Sequence, residues 1–168
     1  MGIAFLAPEL AKWDALGEAE APPELLVLPF FSDERPLRGA AGLADWRLCG
    51  RLSRLLLARR VSGERGETTL LPARRLAFPR VVLFGLGAAA AFDEPRFRDA
   101  ARGIDRVARD LAVARFALSL PGRATGKLVA RRALELWLEE STSDGDVWII
   151  EPPSAQKEAA DLLARRAR

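Results

Sequence analysis

The sequence predicts a three-layer α/β domain, and three observations carry that prediction. Short apolar runs rich in branched and aromatic side chains recur at residues 25–31, 80–84 and 147–150. Amphipathic stretches with apolar residues at helical spacing separate them. The 168 residues suffice for one domain with a sizeable core, and no long linker divides them, so residues 1–168 are expected to form a single domain.

A first short strand is expected over residues 3–7. A polar connection ending at Pro22-Pro23 follows, with Trp13 and Leu16 anchoring one helical turn. Leu25-Leu26-Val27-Leu28-Pro29-Phe30-Phe31 is apolar throughout, as in a strand buried on both faces. Residues 32–36 read as a surface turn. A helix is expected over 43–59, with Leu43, Trp46, Cys49 or Gly50, Leu52, Leu55 and Leu56 on its inner face. Glycines and charges at 62–67 suit a loop or exposed hairpin. Strands are expected at 68–72 and 80–84, the second running directly into Gly85-Leu86-Gly87.

Asp93 offers an N-cap with Pro95 in the first turn of a helix. Phe97, Ala101, Ile104, Ala108 and Leu111 form its inner stripe. Arg98, Arg102, Asp105 and Arg109 occupy the opposite side, where Asp105 and Arg109 can pair on the surface. A fifth strand is expected over 115–120, ended by Pro121-Gly122. A helix capped by Thr125 is expected to reach about Glu140, turning Ala130, Ala133, Leu134, Trp137 and Leu138 inward. A turn at 143–146, a strand at 147–150 and a terminal helix capped by Ser154 complete the pattern, with Ala159, Leu162 and Leu163 as its packing face.

Composition narrows the chemistry. There is no histidine, which removes the commonest acid–base group and most zinc sites. Cys49 is the only cysteine, so no internal disulfide forms, and a reducing cytoplasm is the natural setting. No apolar stretch is long enough to cross a bilayer, and the first residues lack the basic start of a secretory signal. No membrane association is expected. Residues 1–50 carry four basic and eight acidic side chains, whereas residues 51–168 carry 22 basic and 15 acidic ones. Most of the positive charge is arginine, which reads as an ordinary charged surface before it reads as a nucleic-acid face. The run Arg165-Arg166-Ala167-Arg168 reads the same way.

No catalytic set and no metal set is expected. Cys49 lies in an apolar series and reads as a buried thiol with no histidine to activate it. Asp93-Glu94, Glu139-Glu140, Asp144 and Asp146 suit helix ends and turns. Trp46, Trp137, Trp148 and Trp13 fit packing positions. Gly85-Leu86-Gly87 is the one phosphate-binding candidate, because glycines after a strand let backbone amides approach an anion. The residues that follow break the dinucleotide spacing, and Gly126-Lys127-Leu128 lacks the glycine lead of a phosphate loop. A purely structural turn is the favoured reading of Gly85 and Gly87. No cofactor is expected.

Several segments fall together in one order: 25–31, then Gly39-Ala40-Ala41, Leu52-Ser53-Arg54-Leu55-Leu56, residues 63–72, Arg80-Val81-Val82-Leu83-Phe84-Gly85-Leu86-Gly87, Phe92-Asp93, and Phe97-Arg98-Asp99-Ala100-Ala101. Over roughly residues 23–150 the chain resembles the N-terminal, non-catalytic domain of the leucyl aminopeptidase family. The resemblance implies a macro-domain-like α/β/α fold with a mixed central sheet. In full aminopeptidases this domain precedes a larger one that holds two metal ions. The metal-binding motifs of that domain have no counterparts here, so the resemblance implies no autonomous peptidase activity and transfers no catalytic residue. It leaves two main readings. One is an interaction, assembly or regulatory domain with a protein partner or a second copy of itself, since family members assemble as oligomers. The other is a macro-like module binding ADP-ribose, a nucleotide or another phosphate-containing ligand through Gly85 and Gly87. The chain has no asparagine, a common ligand-contacting residue of binding macro domains. Nucleic-acid binding, suggested by the arginines and by family members that bind DNA, and a novel enzymatic cleft of acidic groups are further alternatives.

Overall fold

A computed structural model describes residues 2–166. The central element is β2 (Leu25–Phe30), every residue of which is buried. It lies inside a six-stranded sheet together with β1 (Gly2–Leu6), β3 (Thr68–Pro72), β4 (Arg80–Gly85), β5 (Arg115–Leu118) and β6 (Asp146–Ile150). The order is β1-β6-β5-β2-β4-β3, with all pairs parallel except β3 against β4. The sheet is therefore mixed, with its antiparallel strand at an edge.

Alternation along the strands feeds two cores. Leu25, Val27, Val82, Phe84, Phe116, Leu118, Val147 and Ile149 face α4 (Glu94–Asp110), α5 (Ala130–Glu140) and α6 (Pro153–Arg166). Leu26, Leu28, Val81, Leu83, Ala117 and Ile150 face α1 (Leu10–Gly17), α2 (Gly39–Arg47) and α3 (Arg51–Leu57). This is the three-layer α/β/α architecture that the sequence predicts. Trp13 anchors α1 as expected: it is fully buried, packs edge-to-face on Phe78 and donates from Nε1 to Ala7 O.

Several expectations need correction. The helix expected over 43–59 is broken into α2 and α3. Cys49 (φ 55) and Gly50 (φ 75) adopt the left-handed conformation, and the Asp45 carboxylate accepts from the N–H groups of Leu52 and Ser53 at the start of α3. The break rotates Trp46 outward, to 72% exposure, and exposes Cys49, whose Sγ accepts from Arg75 Nη1 at 2.8 Å. Neither residue packs inward. α5 starts at Ala130, not near Thr125. Gly126 takes φ 71 and Lys127 N–H closes a turn onto Gly122 O, so Thr125 caps nothing. Residues 115–120 form a shorter strand than expected, with Ser119 and Leu120 buried just beyond it. Ser154 lies inside the first turn of α6, which begins at Pro153. The basic run from Arg165 extends past the described residues.

The outer face of α4 is tied to α5 by an ion lattice. Arg98 bridges Glu139 and Glu140 at 2.6 Å each, and Arg102 joins Glu140 to Asp99. Arg132 reaches back from α5 to Glu94 at 2.6 Å. Asp105, expected on the surface beside Arg109, is instead buried and accepts from Ser141 Oγ and Thr142 N–H at the end of α5. The acidic pair Glu139-Glu140 is likewise engaged and not simply solvated.

The lattice makes a pH-dependent contribution. Hydrogen bonds from Arg132, Arg131 and Arg98 hold the Glu94, Glu135 and Glu140 carboxyls, respectively, below their ordinary value of 4.5. A carboxyl that titrates lower when folded adds stability above its unfolded value and loses it as pH falls through the folded one. Urea-denaturation midpoints should therefore drop below about pH 5. The double variant Arg98→Ala/Arg132→Ala should show a shallower drop. An unchanged slope in the variant would mean that the lattice does not couple to folding.

Candidate functional site

In open α/β sheets, ligands bind beyond the carboxyl ends of the strands where the strand order reverses. Here β4 leads through α4 to β5 on the other side of β2. The reversal point is thus the end of β2, flanked by the segments that leave β4 and β5. Gly85 and Gly87 lie at this crest.

The Gly-Leu-Gly segment is backbone-thin because another segment lies directly on it. A Cβ on Gly85 would sit 2.0 Å from Glu64 O and within 2.8 Å of the Gly63 carbonyl. The 62–67 loop closes over this point and bonds to it repeatedly. Gly85 N–H donates to Glu67 O, Gly66 N–H to Gly85 O, and Gly87 N–H to Gly63 O. Leu86 N–H donates to Phe30 O, and Gly87 O accepts from Ser32 N–H. All three amides of the turn are therefore used inside the protein. The loop is itself braced by Glu67, whose carboxylate accepts from Ser62 N–H, Ser62 Oγ and Gly63 N–H at 2.6–3.2 Å. Burial pushes that carboxyl up, but these donors together bring it below its ordinary value.

The rest of the crest is also filled. Phe31 and Phe92 meet edge-to-face at 5.1 Å. Gly122 (φ 75) lies against the Phe92 ring, where a Cβ would approach Cε1 to 2.6 Å. Ala89 N–H, at the start of the short 3-10 turn Ala89–Ala91, donates to Asp33 Oδ1. The Asp33 carboxylate thus takes up the first amide of that turn. Glu34 is buried below, accepting from Phe31 N–H and Arg38 N–H. Burial pushes its carboxyl up despite those donors. Arg123 clasps Glu151 through Nε and Nη2 at 2.6 and 2.8 Å and donates to Leu128 O, so this cation is committed to the fold.

The other candidates from the sequence are not brought together. Asp93 caps α4 by accepting from Arg96 N–H, Glu94 and Glu140 join the ion lattice, and Asp146 opens β6. Trp137 is buried against Phe116 and Trp148 is half-buried. Among the described residues no group of three or more Asp, Glu or Cys side chains could hold a metal ion. No described helix is long and apolar enough to cross a membrane. An open concavity borders the crest on its β3 side: it runs from Arg65, Gly66, Gly85 and Leu86 along β3 and β4 to the flank of α4 carrying Arg96, Gly103 and Arg106. The sequence signal for that flank is the 96-99-103-106-110 spacing, which the inner stripe of the same helix obscures.

Three comparisons place this geometry among known proteins. The profile of the cytosol aminopeptidase family, N-terminal domain, matches residues 27–141, more than half the chain. A probable cytosol aminopeptidase of Burkholderia orbicola is 32% identical over 102 residues, which cover 60% of this chain and 20% of that protein. The chain thus spans about a fifth of the length of this curated relative. A tomato leucine aminopeptidase variant superposes with TM-score 0.58 at 17% identity, over 95% of this chain and 35% of the other. A Trypanosoma brucei macrodomain in complex with ADP-ribose superposes with TM-score 0.70 at 14% identity, over 96% of this chain and 68% of the other. At these identities the two structures establish the fold alone, and that fold is macro-domain-like.

The packing on Gly85 gives a direct test. Gly85→Ala should displace the 62–67 loop and cost roughly 1–3 kcal/mol, the usual range for overpacking a closed site. It would appear as a lower urea midpoint at unchanged slope. An alanine tolerated without loss would show that the loop does not rest on β4.

Proposed function

The chain belongs to the cytosol aminopeptidase family through its N-terminal domain, and we propose that it works as a non-catalytic interaction and assembly module. The observation that carries this reading is the crest. Its turn amides are spent on the 62–67 loop and on Phe30, its cation is paired with Glu151, and Asp33 stands at the start of the 3-10 turn. What remains available for function is outer surface and the open groove between β3 and α4. The family's N-terminal domain is not its catalytic one, and this agrees with a chain whose acidic side chains serve as caps and ion-pair partners. We take residues 1–168 as one domain, supported by the single sheet that runs through them. The lone exposed thiol suits a reducing cytoplasm.

The macro-domain-like fold supports a second reading, a module that takes ADP-ribose or another phosphate-containing ligand at the crest. It requires the 62–67 loop, Asp33 and the Phe31–Phe92 pair to move aside, which costs their hydrogen bonds and contacts.

Calorimetric titration with ADP-ribose, paired with sedimentation over a concentration series, separates the two. The interaction reading expects no saturable heat, and association either with itself or with an added protein segment. Saturable ADP-ribose binding by a strictly monomeric chain would reverse the order.

A further inference from the structure

The groove beside α4 has features that the fold does not consume. It encloses about 640 Å³. Val82 and Phe84 of β4 form its floor, Leu70 of β3 one wall, and the Gly103–Arg106 flank of α4 the other. Gly103 keeps that wall thin, because a Cβ there would touch the Phe84 ring at 2.7 Å. Leu70 is 45% exposed above the floor. The volume falls within the range of ligand-sized sites, about 300–1,000 Å³, and the β3 residues along it, Thr68 and Leu70, are open to solvent.

That open side is a strand edge. β3 is the last strand of the sheet, and its sequence Thr68-Thr69-Leu70-Leu71-Pro72 carries no charge to repel an incoming strand. Gly85 N–H bonds to Glu67 O, and antiparallel alternation then points the peptide groups of Thr69 and Leu71 toward β4. Those of Thr68 and Leu70 point outward. Arg51 Nη1 covers the Pro72 carbonyl, which limits the free edge to Thr68–Leu70. The same two residues put their side chains on the groove side.

Charge identifies the occupant. Four arginines line the groove (Arg65, Arg96, Arg102, Arg106) against two aspartates, Asp99 and Asp110. Arg96 is paired with Asp93, and Arg102 with Asp99 and Glu140. Arg65 and Arg106 are exposed and have no ion-pair partner among the described residues; neither has Asp110, so the lining keeps one free positive charge in excess. A second copy of the chain would bring a second set of arginines to the same edge. A segment carrying carboxylates would neutralise them.

We propose that β3 and this groove accept an extended acidic segment of a partner protein as a seventh strand. Its backbone pairs with Thr68 and Leu70. Apolar side chains on alternate positions rest on Leu70 and Phe84, and carboxylates meet Arg65 and Arg106. The proposal rests on reading the chain as an interaction module and names the chemistry of the partner.

The test is fluorescence anisotropy with a labelled peptide alternating glutamate and valine, against its lysine–valine counterpart. Saturable, salt-sensitive binding of the acidic peptide alone is expected, with a loss of about tenfold or more in Arg106→Glu and in Arg65→Glu, corresponding to about 1.4 kcal/mol. Both positions are exposed and unpaired, so the variants should fold like the parent. Amide resonances of Thr68 and Leu70 should shift on binding. No binding, equal binding of the two peptides, or indifference to both variants would overturn the proposal. So would a dimer abolished by Leu70→Lys, which assigns the edge to a second copy, or tighter binding of single-stranded DNA lost in the same variants. A negative peptide result alongside self-association removes this proposal alone. Saturable ADP-ribose binding by a monomer removes the reading beneath it.

Discussion

The end of β4 has no room for a side chain, and much of the structure follows from that constraint. Gly85 lies against the backbone carbonyls of Gly63 and Glu64. The contact allows three hydrogen bonds between the 62–67 loop and residues 85–87, and Glu67 secures the loop by gathering the donors of Ser62 and Gly63. Glycines after a strand usually suggest an anion cradle, because bare amides can point outward. Here the same bareness lets a second stretch of backbone lie on top. The property that makes the segment look like a phosphate site is used to close it.

Closure at the crest shifts available surface to the sheet edge. β3 is held on one side by β4 and open on the other, and a trough runs between β3, β4 and the flank of α4. The α4–α5 ion lattice fixes the outer rim of that helix through Arg98, Arg102 and Arg132. Exposed pairs are individually weak, but a shared network positions a helix better than isolated pairs do. Asp105 adds a buried anchor by binding the residues that end α5. The helix held in this way carries Arg106, exposed, on its groove flank.

Much of this architecture was legible in the sequence because burial on both faces writes continuous apolar runs. Residues 25–30 and 80–84 could hardly be anything but interior strands, and Asp93 with Pro95 marks the start of α4 unambiguously. The misread positions share a physical cause: their conformation is set by partners distant in sequence or by a single backbone angle. Leu52 and Leu56 keep the helical period of residues 43–48, so nothing in the pattern reveals that Cys49 and Gly50 turn left-handed and that Asp45 caps a new helix. Thr125 has the chemistry of a cap, but Gly126 diverts the chain into a turn. Asp105 looks like a surface residue until the end of α5 folds over it. At the crest, Gly85 and Gly87 were visible as a turn and residues 62–67 as a loop, while the packing of that loop onto the turn was not. Asp33 and Phe92, which help close the site, carried no signal beyond ordinary loop chemistry.

The account is most directly tested at the three amides of the turn. Hydrogen exchange followed by NMR at Gly85, Leu86 and Gly87 reports whether those N–H groups are engaged or open. If the 62–67 loop and Phe30 hold them as described, all three exchange as slowly as the amides of β2 and β4. Rapid exchange at Gly85 and Gly87 within an otherwise protected sheet would contradict the account. It would return the turn to the role of an open anion cradle.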